Sequence, residues 1–439
     1  MQYVINSTRL RKLCISALLS SGLFSQATFA AVASDTELKR MQSHIDSLYQ
    51  NVKSVHQFVG VEGESVMCVD LFAQPAFNHP GLRDHKLQLQ PSQELKDRMG
   101  STDTKDATIA YSGELKGDVD ALGNLRYCPD GSVPIKQLTL DEMSRFPSLE
   151  AFLGKYPEGK IPDDDDRLKA AISGSDIIVP ADNTGPSSLH QYAYIRDYVD
   201  SWGAETVFNV WSPYVERSNE FSLSQMWVVR GSGGDRETIE SGWQVYKDKY
   251  GDSRARLFLY FTPDNYGSGG CYNLDCSGFV QVAGNIYIGG GFSNYSVYNG
   301  AQYTFKLLWV RDPANGNWWL KYGNTWVGYY PTGLFDSNGL KNKANKLSYG
   351  GEIIDRQTNG RHTKTDMGSG SFPSAGFSRA AYQRSIRYVD TSYYYRTHTG
   401  LFEARDDSQC YDVDMTSSTG SWGTYFYFGG AGYHSTNCK

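Results

Sequence analysis

The sequence predicts an all-β C-terminal region, an antiparallel β-sandwich or jelly roll, preceded by a smaller mixed α/β region. From about Leu189 onward, strand-like runs follow one another, clusters of glycine, asparagine and aspartate separate them, and helical periodicity is nearly absent. This region also carries more tyrosine and tryptophan than one core needs, so some of these rings are expected to line a concave face. The predicted strands are 206–215, 221–230, 240–246, 256–262, 279–288, 302–310, 318–330, 346–354, 381–389 and 424–428.

The residues before this β-region are predicted to be partly helical. Between residues 34 and 58, apolar side chains recur at steps of three and four, which indicates an amphipathic helix. A mixed segment follows, with a further short helix at 141–153. Residues 155–186 hold several prolines and four consecutive aspartates, Asp163–Asp166, and this composition predicts an exposed linker.

The first thirty residues are typical of an export signal. Basic residues precede a short apolar run, and small residues suit a signal peptidase that would cut after Ala30 or Ala33. The run is too short and too rich in serine to span a bilayer, and no later segment qualifies. We therefore expect a signal peptide at 1–30, a mixed region at 31–154, a linker at 155–187 and a β-region at 188–439. The protein is expected to be secreted, or periplasmic if the host is a Gram-negative bacterium.

Charge argues against nucleic acid as a partner. The formal net charge is −6 at pH 7, and removing the signal takes away three basic residues and no acidic ones, so the remaining chain is more acidic still. The run Asp163–Asp166 lacks the spaced oxygen ligands of a calcium loop and is interpreted as a solvated stretch. Neither nucleic acid nor a membrane is expected as a partner.

Six of the seven cysteines lie beyond the signal, an even number for an oxidising compartment. Many connectivities are formally possible, and local spacing favours three pairs. These are Cys68 with Cys128, Cys271 with Cys276, and Cys410 with Cys438. A zinc site is the competing interpretation, but no second pair of ligands stands at finger-like spacing.

Two glutamates, Glu240 and Glu352, each lie inside a run that otherwise reads as buried strand. A carboxylate among aromatic, β-branched and glycine residues is costly to desolvate unless it has a partner or a function. Strand alternation places Glu240 on one face with Gln244, and Gln225 has apolar neighbours on its own strand. Adjacent glycines suggest that a substrate backbone approaches this face. The alternative is that each glutamate simply pairs with a lysine or arginine at a strand end.

Familiar hydrolase signatures are missing from the sequence. There is no G-x-S-x-G elbow, no H-E-x-x-H zinc helix and no aspartic-protease loop, and the proposed disulfides leave no free cysteine nucleophile. Ser277 follows Cys276, but no histidine stands in a recognisable triad order. A pair of carboxylates therefore remains the strongest catalytic candidate, because burial can divide two such groups into an acid and a base.

The chain carries a series of ordered motifs. In the C-terminal region they are Asn209-Val210-Trp211, Glu220-Phe221-Ser222-Leu223-Ser224-Gln225, Gly242-Trp243-Gln244-Val245, Gly270-Cys271-Tyr272-Asn273-Leu274 with Cys276, and Gly350-Gly351-Glu352. In the N-terminal region they are Cys68-Val69-Asp70, Gln74-Pro75-Ala76-Phe77, His79-Pro80, His85 and Cys128-Pro129. Through the first set the C-terminal region resembles the neprosin family of glutamic prolyl endopeptidases, and through the second set the N-terminal region resembles the activation peptide of that family.

This resemblance implies a zymogen in which a prodomain at 31–154 inhibits a β-sandwich that cleaves after proline in acid. The family's catalytic residues map onto Glu240 and Glu352, one acting as general base on a water and the other as acid. Gln225 and Gln244 are expected to support the pair or bind substrate, and no metal or organic cofactor is implied. The partners implied are proline-containing peptides and the protein's own prodomain, and self-processing is expected at Pro180 or Pro186.

Two other functions fit the same residues. Jelly-roll glycoside hydrolases also use two distant glutamates on a concave face lined with aromatic rings. In a non-catalytic sugar-binding sandwich, the rings would stack on sugars and the glutamates would bind hydroxyls. The resemblance of the N-terminal region to an activation peptide favours the peptidase, because a secreted peptidase endangers the cell that makes it.

Overall fold

The structure is a computed structural model, and it describes residues 33–60, 62–99, 126–155, 189–356, 360–417 and 420–439. The predicted signal peptide at 1–30 and nearly all of the predicted linker at 155–187, including Asp163–Asp166, lie outside these residues. None of the described helices is long and apolar enough to cross a membrane.

The N-terminal region, residues 33–155, combines short helices with a three-stranded antiparallel sheet of order β1-β2-β3. Its elements are α1 (Asp35–Leu48), β1 (Ser54–Val59), β2 (Ser65–Asp70), α2 (Gln93–Met99), β3 (Ser132–Lys136), α3 (Leu140–Met143) and α4 (Leu149–Leu153).

Two helix predictions for this region were too long. The helix expected at 34–58 ends at Leu48, because the segment Ser54–Val59, with two valines and a phenylalanine, pairs with β2 instead. The helix expected at 141–153 is two helices, α3 and α4, separated by Pro147. A proline disfavours helical geometry in the residue before it, and the Ser148 side chain then caps α4 by accepting from Ala151 N.

The C-terminal region, residues 189–439, is built from strands, with one short α-helix and several 3₁₀ turns among its described residues. In chain order its elements are β4 (His190–Asp197), β5 (Gly203–Asn209), β6 (Phe221–Arg230), β7 (Glu237–Tyr246), α5 (Lys247–Tyr250), β8 (Arg256–Thr262), β9 (Cys271–Tyr272), β10 (Val280–Gln281), β11 (Thr304–Arg311), β12 (Trp318–Tyr322), β13 (Thr325–Tyr330), β14 (Lys346–Ile354), β15 (Ala381–Val389), β16 (Tyr395–Arg396), β17 (Phe402–Arg405), β18 (Asp412–Ser417) and β19 (Thr424–Gly429).

These strands form two antiparallel sheets, which confirms the predicted β-sandwich. The seven-stranded sheet has the order β17-β4-β14-β6-β7-β8-β9. The nine-stranded sheet has the order β10-β13-β12-β11-β5-β15-β19-β18, with β16 paired to β15. The sequence indicated β6, β8, β14 and β15 with their observed bounds, but it gave no indication of β4 and β17. The run 318–330 is two strands, because Gly323 turns the chain with a φ of 54°.

The core lies between the two sheets. Trp243 of β7 is fully buried and donates from Nε1 to the Asn209 carbonyl at 2.9 Å, and Trp309 donates from Nε1 to Ser241 Oγ at 2.8 Å. Ser241 and Trp243 of β7 therefore face the core. Because strand side chains alternate, Glu240, which directly precedes Ser241, points to the outer face of the seven-stranded sheet. That outer face carries the candidate site.

The N-terminal region covers this outer face. Apolar residues of α1, α3 and α4 form one buried cluster with aromatic and aliphatic residues of β6, β7, β8, β9 and β14. The members from the N-terminal region include Met41, Leu48, Met143 and Phe152, and those from the sheet include Phe221, Leu223, Tyr246, Phe258, Tyr260, Tyr272 and Ile354.

All three predicted disulfides are formed. Cys68–Cys128 lies within the N-terminal region, and Cys271–Cys276 and Cys410–Cys438 lie within the C-terminal region. None of these bonds joins one region to the other, so a chain break between residues 155 and 189 leaves the two regions without a covalent link through these cysteines.

Candidate active site

The fold brings Glu240 and Glu352 together on the outer face of the seven-stranded sheet. They lie on β7 and β14, the two strands that flank β6. In the register of these pairs, Glu240 is opposite Trp227 and Glu352 is opposite Leu223, with Gln225 between them on β6. Both glutamates are completely buried.

A single lysine of the N-terminal region joins the two carboxylates. Lys155 Nζ lies 2.6 Å from Glu240 Oε2 and 2.7 Å from Glu352 Oε2, and all three side chains are 0% exposed. The ammonium also lies 5.7 Å from the centre of the Trp227 ring. The sequence placed Lys155 at the start of an exposed linker, which was wrong, because its ammonium is buried with the two carboxylates and offsets part of the cost of burying their charge.

The other partners of Glu240 are neutral hydroxyls. Its Oε1 accepts from Thr238 Oγ1 at 2.9 Å and from the Tyr266 hydroxyl at 2.5 Å. Burial, followed by the charge of Glu240, raises the pKa of Tyr266 well above its usual value, so this hydroxyl keeps its proton and acts as a donor. Tyr266 has a φ of 60°, a left-handed conformation that costs energy for a bulky residue. The loop therefore holds a strained tyrosine against Glu240.

The other partners of Glu352 include an ionisable group. His190 Nδ1 lies 2.6 Å from Oε1, Gln225 Nε2 donates to Oε2 at 2.7 Å, and the Tyr192 hydroxyl donates to Oε1 at 3.3 Å. Burial alone would raise the pKa of Glu352, but the charge of Lys155 and the contact with His190 outweigh it, so the pKa is lowered. Burial lowers the pKa of His190 more than Glu352 raises it.

The two glutamines named from the sequence occupy different positions. Gln225 touches Glu352 directly. Gln244 is bonded instead to two tyrosines, donating to the Tyr272 hydroxyl at 3.4 Å and accepting from the Tyr250 hydroxyl at 3.2 Å. Gln244 therefore lies farther along β7, beside the residues that border the site.

The glycines near the glutamates serve the sheet itself, which corrects the interpretation that they open a path for substrate. A Cβ on Gly242 would lie 1.9 Å from the Ser224 carbonyl oxygen of the neighbouring strand. A Cβ on Gly350 would lie 2.4 Å from the Ala193 carbonyl oxygen, and one on Gly351 would meet core side chains. The close approach of neighbouring strands therefore explains these glycines.

One group of metal-ligand type occurs among the described residues, away from the glutamates. His362 lies close to Cys410 and Cys438. The two sulfurs are bonded to each other, so they are not thiolates that could coordinate an ion.

Sequence reasoning missed the residues that surround the glutamates. These residues are Lys155, His190 and Tyr266. The sequence around each of them shows no clear hydrophobic periodicity of a helix or a strand. The only available signal was for Tyr266, which lies in a turn-forming run, Pro263-Asp264-Asn265-Tyr266-Gly267.

Two protein-family models match this chain, Neprosin over residues 218–431 and Neprosin activation peptide over residues 57–196. The chain belongs to the neprosin family. The first match contains Glu240 and Glu352, and the second contains Lys155 and His190. Membership of this family identifies the chain as the precursor of a glutamic peptidase, with the activation peptide as its intramolecular inhibitor.

Three solved structures show distant similarity to this chain. Scytalido-glutamic peptidase with a transition state analog inhibitor has 11% sequence identity, covering 54% of this chain and 97% of that chain with a TM-score of 0.31. SCP-B of the eqolisin family, in a complex with the tripeptide Ala-Ile-His, has 10% identity, 54% and 96% coverage and a TM-score of 0.27. The homodimeric agglutinin CG-16 from chicken liver has 9% identity, 36% and 92% coverage and a TM-score of 0.20.

Proposed function

We propose that the mature protein is an endopeptidase in which Glu240 and Glu352 activate one water molecule. The observation that carries this proposal is the position of Lys155 Nζ, within hydrogen-bond distance of both carboxylates. An ammonium nitrogen and a water oxygen are similar in size. When Lys155 leaves, a water in its place contacts both glutamates, as a two-carboxylate hydrolysis requires.

The surroundings of the two glutamates suit different roles. Glu352 keeps His190 as a neighbour after Lys155 leaves, and this contact favours the ionised form that a general base needs. In the described part of the chain, Glu240 keeps the neutral donors Thr238 and Tyr266. In the proposed reaction Glu352 takes a proton from the water as it attacks the scissile carbonyl. Protonated Glu240 polarises that carbonyl and passes its proton to the leaving amine.

Acid is proposed to release the inhibition. The lowered pKa of Glu352 means that its ionised form stabilises the closed precursor above the ordinary value of 4.5, and this stabilisation is lost as the pH falls through the lowered pKa. His190 acts in the same direction, since its pKa lies below the ordinary 6.5 and the charge of Lys155 helps to keep it there. Protonating His190 places a second positive charge near Lys155 and weakens the hold on the lysine, while Glu352 keeps the negative charge that the proposed base needs.

The proposed cut at Pro180 or Pro186 lies outside the described residues, between two positions that the structure does describe. Lys155, which joins the glutamates, lies before the cut, and His190, which contacts Glu352, lies after it. Cleavage between them frees Lys155 to depart and leaves His190 in the mature enzyme. Export of the precursor through the signal at 1–30 is part of the same proposal.

Preference for proline before the cut is proposed from the rings around the glutamates. Trp227 lies beside the Lys155 ammonium, Tyr192 contacts Glu352, and Tyr260 lies opposite Glu240 on β8. Flat rings can hold the rigid proline ring by stacking and shape. Trp243 is excluded from this wall because it is buried between the sheets. Sequencing the fragments of a denatured proteome should show proline before the cut, and a flat distribution there would contradict the preference.

One assay separates the peptidase from the sugar-directed alternatives. Acid-treated protein is incubated with a quenched-fluorescent peptide that contains proline and, separately, with xylan. We expect cleavage of the peptide and none of the xylan. Release of sugars from xylan would support a glycoside hydrolase, and binding of xylan without cleavage of either substrate would support a sugar-binding protein.

A further inference from the structure

The residues that lead to Lys155 are held by two buried side chains of the C-terminal region. Lys249 Nζ donates to the Phe152 carbonyl oxygen at 2.7 Å, at the end of α4. Three residues later, the backbone N–H of Lys155 donates to the Tyr260 hydroxyl at 3.3 Å. The C-terminal region therefore binds the main chain of this segment, in addition to its charged side chain, beside the glutamates.

Lys249 lies on α5 and is unusually buried for a lysine, with 3% exposure. Its charge is balanced by Asp275, whose Oδ2 lies 2.7 Å from Nζ. The ammonium also lies 3.5 Å from the centre of the Phe152 ring and 5.0 Å from that of Tyr272. Burial lowers the pKa of Lys249, although Asp275 opposes this shift. None of these contacts serves the two glutamates.

We propose that Lys249 is a substrate-binding residue of the mature enzyme. It donates to a main-chain carbonyl of the peptide a few residues from the scissile bond, and Lys249 and Tyr272 together favour an aromatic side chain at that residue. This inference rests on the proposed peptidase function and deepens it, because it assigns a second recognition point that is separate from proline.

The departure of the activation peptide explains why Lys249 is expected to bind a substrate. Phe152 takes its carbonyl with it, so a donor of Lys249 loses its acceptor while Asp275 stays in place. Water can then reach this donor, and a substrate carbonyl that displaces the water restores the bond made in the precursor. The Phe152 ring also vacates a place beside a cation and the ring of Tyr272, which an aromatic substrate residue can fill.

The test is a series of proline peptides extended by one residue at a time, on either side of the cleaved bond, with phenylalanine or alanine at each added position. Their kcat/KM values are compared for acid-processed wild type, Lys249→Met and Lys247→Met. Lys247 lies on the same helix but is exposed, so it serves as the matched control. For wild type and Lys247→Met, kcat/KM should rise about tenfold when the added residue reaches Lys249. The rise should be larger for phenylalanine than for alanine.

Lys249→Met should lack this gain, so that its kcat/KM for the extended peptide that reaches position 249 should be close to its own value for the shortest peptide. A gain that persists in Lys249→Met, or an equal loss on every peptide, would overturn the proposal. If Lys249→Met does not fold, the wild type alone decides: replacing the critical peptide carbonyl by a methylene should remove the gain, and an unchanged gain would overturn it. Failure of wild type to cleave any peptide would instead refute the peptidase function, and this inference with it.

Discussion

Glu240 and Glu352 share Lys155 but differ in their other partners. Glu240 is held by the hydroxyls of Thr238 and Tyr266, which stay neutral at any pH where the protein works. Glu352 is held by Gln225 and by His190, whose charge can change in acid. Two residues that look equivalent in the sequence therefore have unequal surroundings. One buried site therefore gives its two carboxylates different neighbours, an ionisable imidazole for Glu352 and neutral hydroxyls for Glu240.

The largest effect is expected from removing either carboxylate. Glu240→Gln and Glu352→Gln should each lower kcat by about 10²–10⁴-fold or more, because the two groups act as a unit. Each variant precursor is processed with a trace of tagged active wild type, the wild type is removed, and cleavage of a proline peptide is measured. Glu237→Gln is the matched control, since Glu237 is also buried on β7 but binds the backbone of Asp336 and Leu340. Near-native activity of either test variant would contradict the paired mechanism.

The next effect concerns Lys155, which contacts both glutamates. Removing one member of a buried ion pair costs about 3–5 kcal/mol, because it leaves uncompensated charge. The Lys155→Ala precursor should therefore begin processing at a higher pH than wild type, because its closed form lacks the lysine that joins the two carboxylates. Gel analysis over time measures this, with Lys39→Ala, an exposed lysine of α1, as control. Equal latency of Lys155→Ala and wild type would show that the lysine does not maintain inhibition.

The smallest effect tests the difference between the two glutamates. Each of His190→Gln and Tyr266→Phe removes a hydrogen bond to a charged group, which is worth about 1.5–3 kcal/mol. Because His190 lowers the pKa of Glu352, His190→Gln should move the acid limb of the pH profile of kcat/KM to higher pH. Tyr266→Phe should reduce activity and leave that limb in place. If the acid limb of the profile shifts equally in both variants, the assignment of Glu352 as the general base is contradicted.

The sequence predicted the β-sandwich, and it predicted that Glu240 and Glu352 lie within buried strands. Both predictions were possible because strand-like runs are visible locally in the sequence. Strand alternation showed that Glu240 and Trp243 point to opposite faces, and the three disulfides followed from spacing. The contacts of Lys155 depend on a segment that crosses the sheet from far away in the chain. A lysine beside a proline-rich stretch looks like any exposed lysine, and His190 begins a strand that no local pattern indicated. Their roles arise from tertiary packing, which residue periodicity does not encode.

The most direct test of the two-glutamate peptidase uses the precursor as its own substrate. Purified wild type, Glu240→Gln and Glu352→Gln precursors are incubated separately in acid, and the N-termini of the products are sequenced. We predict that wild type yields a chain that begins near Ala181 or Ser187, while both variants stay uncut. Equal processing of all three would contradict the account, because a protease other than this pair of glutamates would then make the cut.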